Sequence, residues 1–331
     1  MRVLIVKMSS LGDVIHTLPA LTDAHRILPE VRFDWVVEEA FAEIPAWHPA
    51  VDQVIPVALR RWRKNPLAGG VAAQWAKFRR ALRQSHYDLV IDAQGLLKSA
   101  FVTGLVSAPS YGLDKNSARE SLAARTYNHP LSIPKDQHAV ERIRQLFAVS
   151  LNYSVPEETG DYGLSEALHR SAEPQRSGVL LFHGTARAEK QWPEQKWIEL
   201  QALIAQAGHR IWLPWGNAKE RARAERIAAT HAQAQVLPSL GLSGLATLLL
   251  ESWGAVAVDT GLGHLAAALD VPAVSLYGPT DTRLIGAYGM HQSQLRAPLG
   301  VHDTSDPQIM MDSITAESVW EALQSVAGSV H

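Results

Sequence analysis

The sequence predicts an α/β protein of two domains, each built on a parallel sheet. A chain of 331 residues is about twice the usual domain length of roughly 150 residues. Residues 2–8 and 255–258 are apolar runs with little alternation, which is typical of strands buried on both faces of a parallel sheet. We expect a first domain over 1–165, a second over 177–312, and a last helix within 313–331, with a return of that helix onto the first domain as one option.

Composition narrows the classes of function. The chain is 47% hydrophobic and 19% charged with a net charge of −2, so it lacks the positive excess of a nucleic-acid-binding protein. It contains no cysteine, which excludes disulfides and thiolate metal sites. No apolar run approaches the ~20 residues of a membrane span, and the first residues lead into a strand pattern rather than a signal peptide. We expect a cytoplasmic protein whose membrane contact, where it has any, is peripheral.

The first strand pattern leads directly to a candidate site. It ends in Ser9-Ser-Leu-Gly-Asp13, and residues 14–28 follow with apolar side chains at helical spacing. Asp13 therefore lies at the start of the first helix, where aspartate is a common N-cap. The carboxyl end of a central strand is also where open α/β sheets bind ligands, which makes Asp13 a candidate general base. The position of Asp13 alone does not favour the N-cap over the general base, or the reverse.

The remainder of the first domain continues the strand and helix alternation. Strands are predicted over 33–37, 51–57 and 87–92, and helices over 74–84 and 138–151. We expect Arg142 and Arg144, on the last of these helices, to be exposed. Arg119 falls in a polar, irregular segment, where it could face either a cleft or solvent.

A cationic cluster follows the third predicted strand. Arg60-Arg-Trp-Arg-Lys64 places four cations around one tryptophan, and the helix predicted over 74–84 is also basic. Such a cluster is usually a solvated surface. Guanidinium groups also bind phosphate and carboxylate bidentately, and tryptophan can lie at a lipid or sugar face. The alternative is therefore an anionic second substrate at a membrane surface.

The second domain repeats the pattern with polar residues after each strand. Strands are predicted over 179–182 and 211–214, and helices over 194–207, 221–234, 242–251 and 314–326. We interpret the charges of the helix predicted over 221–234 as mostly solvated. Thr185 and Lys190, then Glu220, then Asp259 to His264 follow successive strands at their carboxyl ends. Each alone could be a surface or capping residue, but their convergence predicts a ligand site.

The segment after residues 255–258 allows two ligands. Gly261-Leu-Gly-His-Leu-Ala266 fits the dinucleotide pattern G-x-G-x-x-A, and Asp281 lies near the distance of a ribose-binding acid. That acid should end the next strand, however, and here the strand ends in Tyr277-Gly-Pro. Asp259-Thr260, a carboxylate and a hydroxyl before the first glycine, favours a site that also binds sugar hydroxyls. A sugar nucleotide is thus favoured over a nicotinamide dinucleotide.

With these residues in view, the chain resembles the bacterial ADP-heptose:lipopolysaccharide heptosyltransferases over nearly its whole length. The segments that carry the resemblance are Lys7-Met-Ser-Ser-Leu-Gly-Asp13, Arg60-Arg-Trp-Arg-Lys64, Ile91-Asp-Ala-Gln-Gly95, Lys190 with Trp192-Pro193, and Asp259-Thr-Gly-Leu-Gly-His-Leu265 with Tyr277-Gly-Pro-Thr-Asp281. The Asp-Thr-Gly-x-x-His motif marks the wider family. The Arg-Arg-Trp-Arg-Lys segment resembles the patch that members adding the first heptose use for their Kdo-lipid A acceptor.

The resemblance implies a GT-B glycosyltransferase fold, with two Rossmann-like lobes facing across a cleft. The N-terminal lobe would bind the acceptor, Kdo-lipid A, and the C-terminal lobe the donor, ADP-L-glycero-D-manno-heptose. It also implies inversion at the transferred sugar, no cofactor and no metal. The protein would act as a monomer at the cytoplasmic face of the inner membrane.

Residue roles follow from the same resemblance. Asp13 would be the general base that deprotonates the 5-hydroxyl of the inner Kdo, and Lys190 would neutralise the departing diphosphate. Glu220 would hold the ribose and Asp259 would orient the heptose. The full donor set implied is Thr185, Lys190, Glu220, Asp259, Thr260, Gly261 and His264. The full acceptor set implied is Ser10, Gly12, Arg60, Arg61, Arg63, Lys64 and Arg119.

Two positions depart from the family pattern, and three other functions stay open. Ala186 stands where close relatives often have a second threonine, and Leu240 where a methionine near the adenine occurs. The alternatives are an enzyme that adds the second heptose, a nicotinamide oxidoreductase, and a sugar-nucleotide-binding protein without turnover. The intact Asp13 and Lys190 argue against the last of these.

Overall fold

The computed structural model divides the chain into two compact units, Met1–Ala167 and Leu168–His331. The structure describes residues 1–65, 69–164, 178–297 and 306–328, with only the backbone of 307 and 308. The end of the predicted first domain, residue 165, and the start of the predicted second domain, residue 177, both lie outside the described residues. The domain limits proposed from sequence therefore stay predictions at that point.

The first unit is built on a parallel sheet. Its described strands are β1 (Arg2–Val6), β2 (Arg32–Glu38), β3 (Val51–Val57), β4 (Leu89–Asp92), β5 (Ser110–Leu113) and β6 (His129–Leu131). They lie in the order β3-β2-β1-β4-β5-β6, and each neighbouring pair is parallel. This is the strand order of doubly wound nucleotide-binding folds.

The second unit repeats that order. Its described strands are β7 (Gly178–Phe182), β8 (Arg210–Leu213), β9 (Ala234–Val236), β10 (Gly254–Val258), β11 (Ala273–Tyr277) and β12 (Gln292–Arg296). They lie in the order β12-β11-β10-β7-β8-β9, again with parallel neighbours. Counted from its first strand, each sheet therefore reads 3-2-1-4-5-6.

Helices connect these strands. In the first unit they are α1 (Leu11–Ile15), α2 (Leu18–Ile27), α3 (Glu43–Ala46), α4 (Leu59–Lys64), α5 (Val71–Leu82), α6 (Leu97–Thr103) and α7 (Ala139–Leu151). In the second unit they are α8 (Glu194–Gln206), α9 (Ala218–Ala228), α10 (Leu242–Glu251), α11 (Gly261–Ala268), α12 (Thr282–Ile285), α13 (Pro307–Asp312) and α14 (Ala316–Gly328). Among the described residues, no helix combines the length and the apolar character needed to cross a membrane.

The last helix, α14, packs against the second sheet. Its buried Val319 and Leu323 belong to the same core cluster as Val256 of β10 and Val274 of β11. Trp192 joins this core and donates its indole N–H to the carbonyl of Ile314, 3.0 Å away, just before the helix. Packing of this helix against the first domain, the option named from the sequence, stays a prediction.

Several boundaries differ from the sequence interpretation. The helix predicted over 14–28 is two helices, α1 and α2, with Pro19 in the first turn of the second. The helix predicted over 221–234 ends at Ala228, and β9 follows. Strands β5, β6, β9 and β12 were not predicted. Strands β6, β9 and β12 lie at sheet edges, have three to five residues and are incompletely buried. They therefore lack the apolar run by which central strands are recognised.

Arg144 corrects the expectation of an exposed side chain. It is buried on α7, and its Nε donates to Asp23 Oδ2 of α2 at 2.6 Å. Its remaining donors reach the Glu141 carboxylate and the carbonyls of Pro156 and Glu158. A buried guanidinium is stable only when its donors are paired in this way.

Candidate active site

Both sheets place polar loops at the point where the strand order reverses. In the first unit this switch point lies between β1 and β4, and in the second between β7 and β10. Open α/β sheets bind ligands just beyond the carboxyl ends of the strands at such a point. The residues after these four strands are therefore the candidates for ligand binding in each unit.

In the second unit, Lys190 and Asp259 meet across the switch point. Lys190 ends a short 3-10 turn in the loop after β7, and Asp259 directly follows β10. Their Nζ and Oδ2 atoms are 2.5 Å apart, and the side chains are 16% and 9% exposed, respectively. The pair thus places a cation beside a carboxylate in a largely desolvated position, open enough for a ligand to reach.

Two threonines extend this pair into a cluster. Thr280, after β11, donates its hydroxyl to Asp259 Oδ2 at 2.5 Å. Thr185, after β7, donates to the Asp259 backbone carbonyl at 3.2 Å. Thr280 was missed as a site residue from the sequence, although it belongs to the Tyr277-Gly-Pro-Thr segment quoted for the resemblance. Its position after the next strand of the sheet was the available signal.

The loop that carries Thr185 and Lys190 is fastened at both ends by Arg223 of α9. Its guanidinium donates to the carbonyl of His183 at 3.3 Å, at the start of the loop, and to the carbonyl of Trp192 at the end. Arg223 is buried, which corrects the expectation that the charges of this helix are solvated. Burial lowers the pKa of its guanidinium, against the attraction of Glu194.

Glu220, also on α9, approaches the start of the same loop at Gly184. Its Oε2 accepts from the N–H of Gly216 at 2.7 Å, in the turn after β8. A Cβ at Gly184 would come within 2.8 Å of the Glu220 carboxyl carbon, so only glycine allows this close approach. Glu220 is thereby brought next to the β7 loop, without a described contact to Asp259 itself.

Helix α11 begins directly behind Asp259. Thr260 is its N-cap in extended conformation, and the helix runs from Gly261 with His264 buried on it. A Cβ at Gly263 would meet Ser275 Oγ at 3.0 Å, which lets this helix pack closely on β11. The N-terminus of this helix, with the positive end of its dipole, therefore starts two residues after Asp259, the partner of Lys190, an arrangement suited to phosphate.

Asp281, the acid required by the dinucleotide alternative, is engaged locally. Its Oδ1 accepts from the Arg283 N–H as the cap of α12, and its Oδ2 pairs with the Arg283 guanidinium at 2.8 Å. The hydrogen bond from Arg283 lowers the pKa of this carboxyl. Asp281 also lies four residues beyond the end of β11, so the structure does not favour a ribose-binding role.

In the first unit, Asp13 is the third residue of α1 rather than its N-cap. Ser10 is the N-cap, and both its backbone N–H and its hydroxyl donate to Asp13 Oδ2, at 2.7 and 2.8 Å. This arrangement is a capping box in which the acid of the first turn binds back to the N-cap. The acid of the capping box and the candidate base are therefore the same carboxylate. Gly12, between them, is buried.

The loop that leads to Asp13 is held from β4 by residues that the sequence interpretation did not assign. Gln94 accepts from the Met8 N–H at 2.8 Å and donates to the Ser9 carbonyl at 2.7 Å. Lys98 donates to Ser9 Oγ at 3.0 Å. Lys7 is buried and donates to the Ala93 carbonyl at 2.8 Å; burial lowers its pKa, and the nearby Asp13 charge opposes that effect.

The cationic cluster forms helix α4, after β3. Arg61 pairs bidentately with Glu39, at 2.9 and 3.0 Å, and also donates to Gln74. Arg60 lies over the ring of Phe41, with its backbone N–H bound to Glu38. Arg63 and Lys64 are exposed. Arg61 thus has a structural partner, whereas Arg63 and Lys64 extend into solvent.

Arg119 lies apart from α4 in the segment after β5, and it is exposed. The next residue, Glu120, donates its backbone N–H to the Gly95 carbonyl at 3.1 Å. The segment therefore packs on the loop after β4. Burial lowers the pKa of Lys7, and the charge of Arg119 acts in the same direction. Acceptor binding by Arg119 and the α4 cations stays a prediction.

Comparisons with known proteins agree with this architecture. The model of glycosyltransferase family 9 (heptosyltransferase) matches residues 75–312. The lipopolysaccharide heptosyltransferase 1 of Pseudomonas aeruginosa is 56% identical over 296 residues, which cover 89% of this chain and 83% of that protein.

Two solved structures are similar over the whole fold. The structure of E. coli heptosyltransferase WaaC with ADP is 48% identical, with a TM-score of 0.91 and coverage of 98% of this chain and 100% of that one. The structure of the same enzyme with ADP-2-deoxy-2-fluoro heptose is 47% identical, with a TM-score of 0.88 and coverage of 98% and 99%. The expected GT-B fold class is thereby confirmed. The chain belongs to glycosyltransferase family 9, the heptosyltransferase family, and is an enzyme of that family.

Proposed function

We propose that this enzyme transfers L-glycero-D-manno-heptose from ADP-heptose to the 5-hydroxyl of the inner Kdo of Kdo-lipid A, in synthesis of the lipopolysaccharide inner core. The names of the similar proteins support heptose transfer to lipopolysaccharide, and the ligands of the two similar structures support an ADP-linked donor. The observation that carries the proposal is the cluster of Lys190, Asp259 and Thr280 at the β7/β10 switch point.

The donor side of the reaction belongs to the second unit. The diphosphate lies against Lys190 and the first turn of α11, where the ammonium and the backbone N–H groups bind anionic oxygens. Asp259 holds Lys190 in place before the donor arrives and then turns to the heptose hydroxyls. Glu220, fixed against the Gly184 loop, accepts hydrogen bonds from the ribose.

The acceptor side belongs to the first unit. Asp13 accepts the proton of the attacking hydroxyl while that oxygen forms its bond to the anomeric carbon of heptose. The electron pair of the breaking carbon–oxygen bond leaves with ADP, whose extra negative charge Lys190 stabilises. Attack and departure occur on opposite faces of the sugar, so the configuration inverts in a single displacement. Because an aspartate is a weak base, the proton moves late, as the bond to ADP breaks.

The exposed cations of α4 bind the anionic groups of the acceptor. Arg63 and Lys64 are the strongest candidates because both are exposed, whereas Arg61 is engaged with Glu39. The same surface brings the protein to an anionic membrane, which fits a peripheral enzyme at the cytoplasmic face of the inner membrane.

The test is ADP release from ADP-heptose with and without deacylated Kdo-lipid A. Acceptor-dependent release by the wild type supports the proposal. Release that occurs only with an already heptosylated acceptor contradicts it in favour of the second-heptose enzyme. ADP binding without release on either acceptor would leave only a binding function.

A further inference from the structure

An aromatic groove lies beside α4 in the first unit. It encloses about 640 Å³ and runs between α4, α5 and α6. Trp75 of α5 stacks on Phe101 of α6, with ring centroids 6.0 Å apart and planes 17° apart, and meets Trp62 of α4 edge to face at 5.8 Å. Phe101 is 55% exposed. Three adjoining aromatic rings, one of them open to solvent, thus form a contiguous apolar surface along the groove.

The same groove has a cationic rim. Arg60, Arg63 and Lys98 line it, and Glu38 is the one acid among its described lining residues. The Glu38 carboxylate is buried and accepts from the Arg60 backbone N–H, and its single charge offsets only part of that of the three cations. Lys98 also donates to Ser9 Oγ, which places one end of the groove beside the loop that carries Asp13. Apolar walls and a positive rim are complementary to an amphiphile that has a negatively charged head.

We propose that the aromatic groove binds a hydrocarbon chain of the anionic lipid acceptor, with an acidic group of that lipid held by Arg60, Arg63 and Lys98. This inference rests on the proposed function, because it names the part of the acceptor that the groove recognises. The charged end lies toward Ser9 and Asp13, and the chain runs outward along Trp75 and Phe101. The groove therefore distinguishes acylated from deacylated acceptors, which cations alone would not do.

The binding test uses dodecyl phosphate below its micelle concentration, measured by isothermal titration against the full chain. Inorganic phosphate supplies the charge without the chain, and dodecyl maltoside supplies the chain without the charge. We expect dodecyl phosphate to bind more tightly than either. Equal affinity for inorganic phosphate would overturn the role of the apolar walls, and equal affinity for dodecyl maltoside would overturn the role of the rim.

Two surface variants localise the effect, each with a matched control. Phe101→Ser removes the exposed aromatic wall, and we expect it to weaken dodecyl phosphate binding by about five- to tenfold through lost apolar contact. Leu122→Ser, at a residue 53% exposed elsewhere in the first unit, is its control and should change nothing. Arg63→Glu reverses one rim charge, and Arg80→Glu, exposed on α5, is its control. Controls that weaken binding as much as the groove variants would overturn the location.

Kinetics then link the groove to the acceptor. We expect Phe101→Ser to raise KM for acylated Kdo-lipid A several-fold more than KM for the deacylated acceptor. Equal changes in the two values would overturn the assignment of the chain to the groove. This failure differs from failure of the proposed function, in which the wild type releases no ADP with either acceptor.

Discussion

The two units share one strand order, yet they hold their candidate catalytic groups differently. In the second unit, side chains from three loops contact one another directly, since Asp259 binds both Lys190 and Thr280. In the first unit, Asp13 is held by the start of its own helix, and Gln94 and Lys98 fasten the preceding loop. A diphosphate site must concentrate charge from several loops at one point. A base needs instead one carboxylate in a fixed orientation, which a helix N-terminus provides.

Asp13→Asn is expected to have the largest effect. The amide keeps the size of the side chain and can still accept from Ser10, but it cannot take the proton of the acceptor hydroxyl. We expect kcat to fall by about 10²- to 10⁴-fold, the usual contribution of a general base. The measurement is acceptor-dependent ADP release, with ADP affinity as the control that the second unit is intact. Near-normal turnover would remove Asp13 from the mechanism and leave it as a cap.

Lys190→Met is expected to have the next largest effect. In the proposed mechanism the charge that this change removes stabilises the leaving diphosphate, so kcat should fall by about 10²-fold and donor affinity should fall with it. Lys196→Met is the matched control, because Lys196 also pairs with a carboxylate, Glu199 at 3.2 Å, but lies on α8 away from the switch point. Similar losses in both variants would mean that Lys190 acts through stability alone.

One buried histidine in each unit should make stability depend on pH. Burial lowers the pKa of His48 in the first unit and of His183 in the second to about 4. The unfolded chain, with histidine pKa values near ~6.5, binds more protons than the folded chain between these limits. The stabilisation from each neutral, buried histidine is therefore fully present above about pH 6.5, and it falls toward pH 4 by roughly 3 kcal/mol for each histidine.

The measurement is urea unfolding from pH 7 to pH 4 for the wild type and for His48→Gln and His183→Gln. Each variant lacks one titrating group, so its stability should decline less steeply with falling pH. His48 in its neutral form accepts from the Ala50 N–H at 3.1 Å and faces the Thr22 hydroxyl at 3.0 Å. If the free energy of unfolding of both variants fell with pH as steeply as that of the wild type, the prediction would be contradicted.

Thr280→Val should have the smallest effect of the series. It removes one hydrogen bond to the Asp259 carboxylate while preserving shape, and bonds to charged groups contribute about 1.5–3 kcal/mol. Since Lys190 still holds Asp259, we expect a loss near the lower end of this range, which is about tenfold in kcat/KM for ADP-heptose. Thr247→Val on α10 is the control, since that hydroxyl only binds its own helix at the Ser243 carbonyl. No change in either variant would show that Lys190 alone fixes Asp259.

Local sequence pattern was sufficient for the central strands and for the residues that follow them. Strands β1, β7 and β10 consist mainly of consecutive apolar residues bounded by polar residues or glycine, which is typical of buried parallel strands. The position of Asp13, Lys190 and Asp259 at strand ends followed from that pattern alone. The short strands β6 and β9 carry no comparable run, because an edge strand is partly solvated.

Only the tertiary structure decided which polar side chains are buried and paired. Arg144 and Arg223 look like solvated helix charges in sequence, yet each is enclosed by acceptors from segments distant along the chain. Gln94 likewise acquires its role from Ser9, which lies 85 residues away in sequence. A strand pattern is a local property, since it depends on the polarity of consecutive residues. The partner of a buried charge is a non-local property, because the two groups meet only when the parallel sheet brings the ends of its strands together.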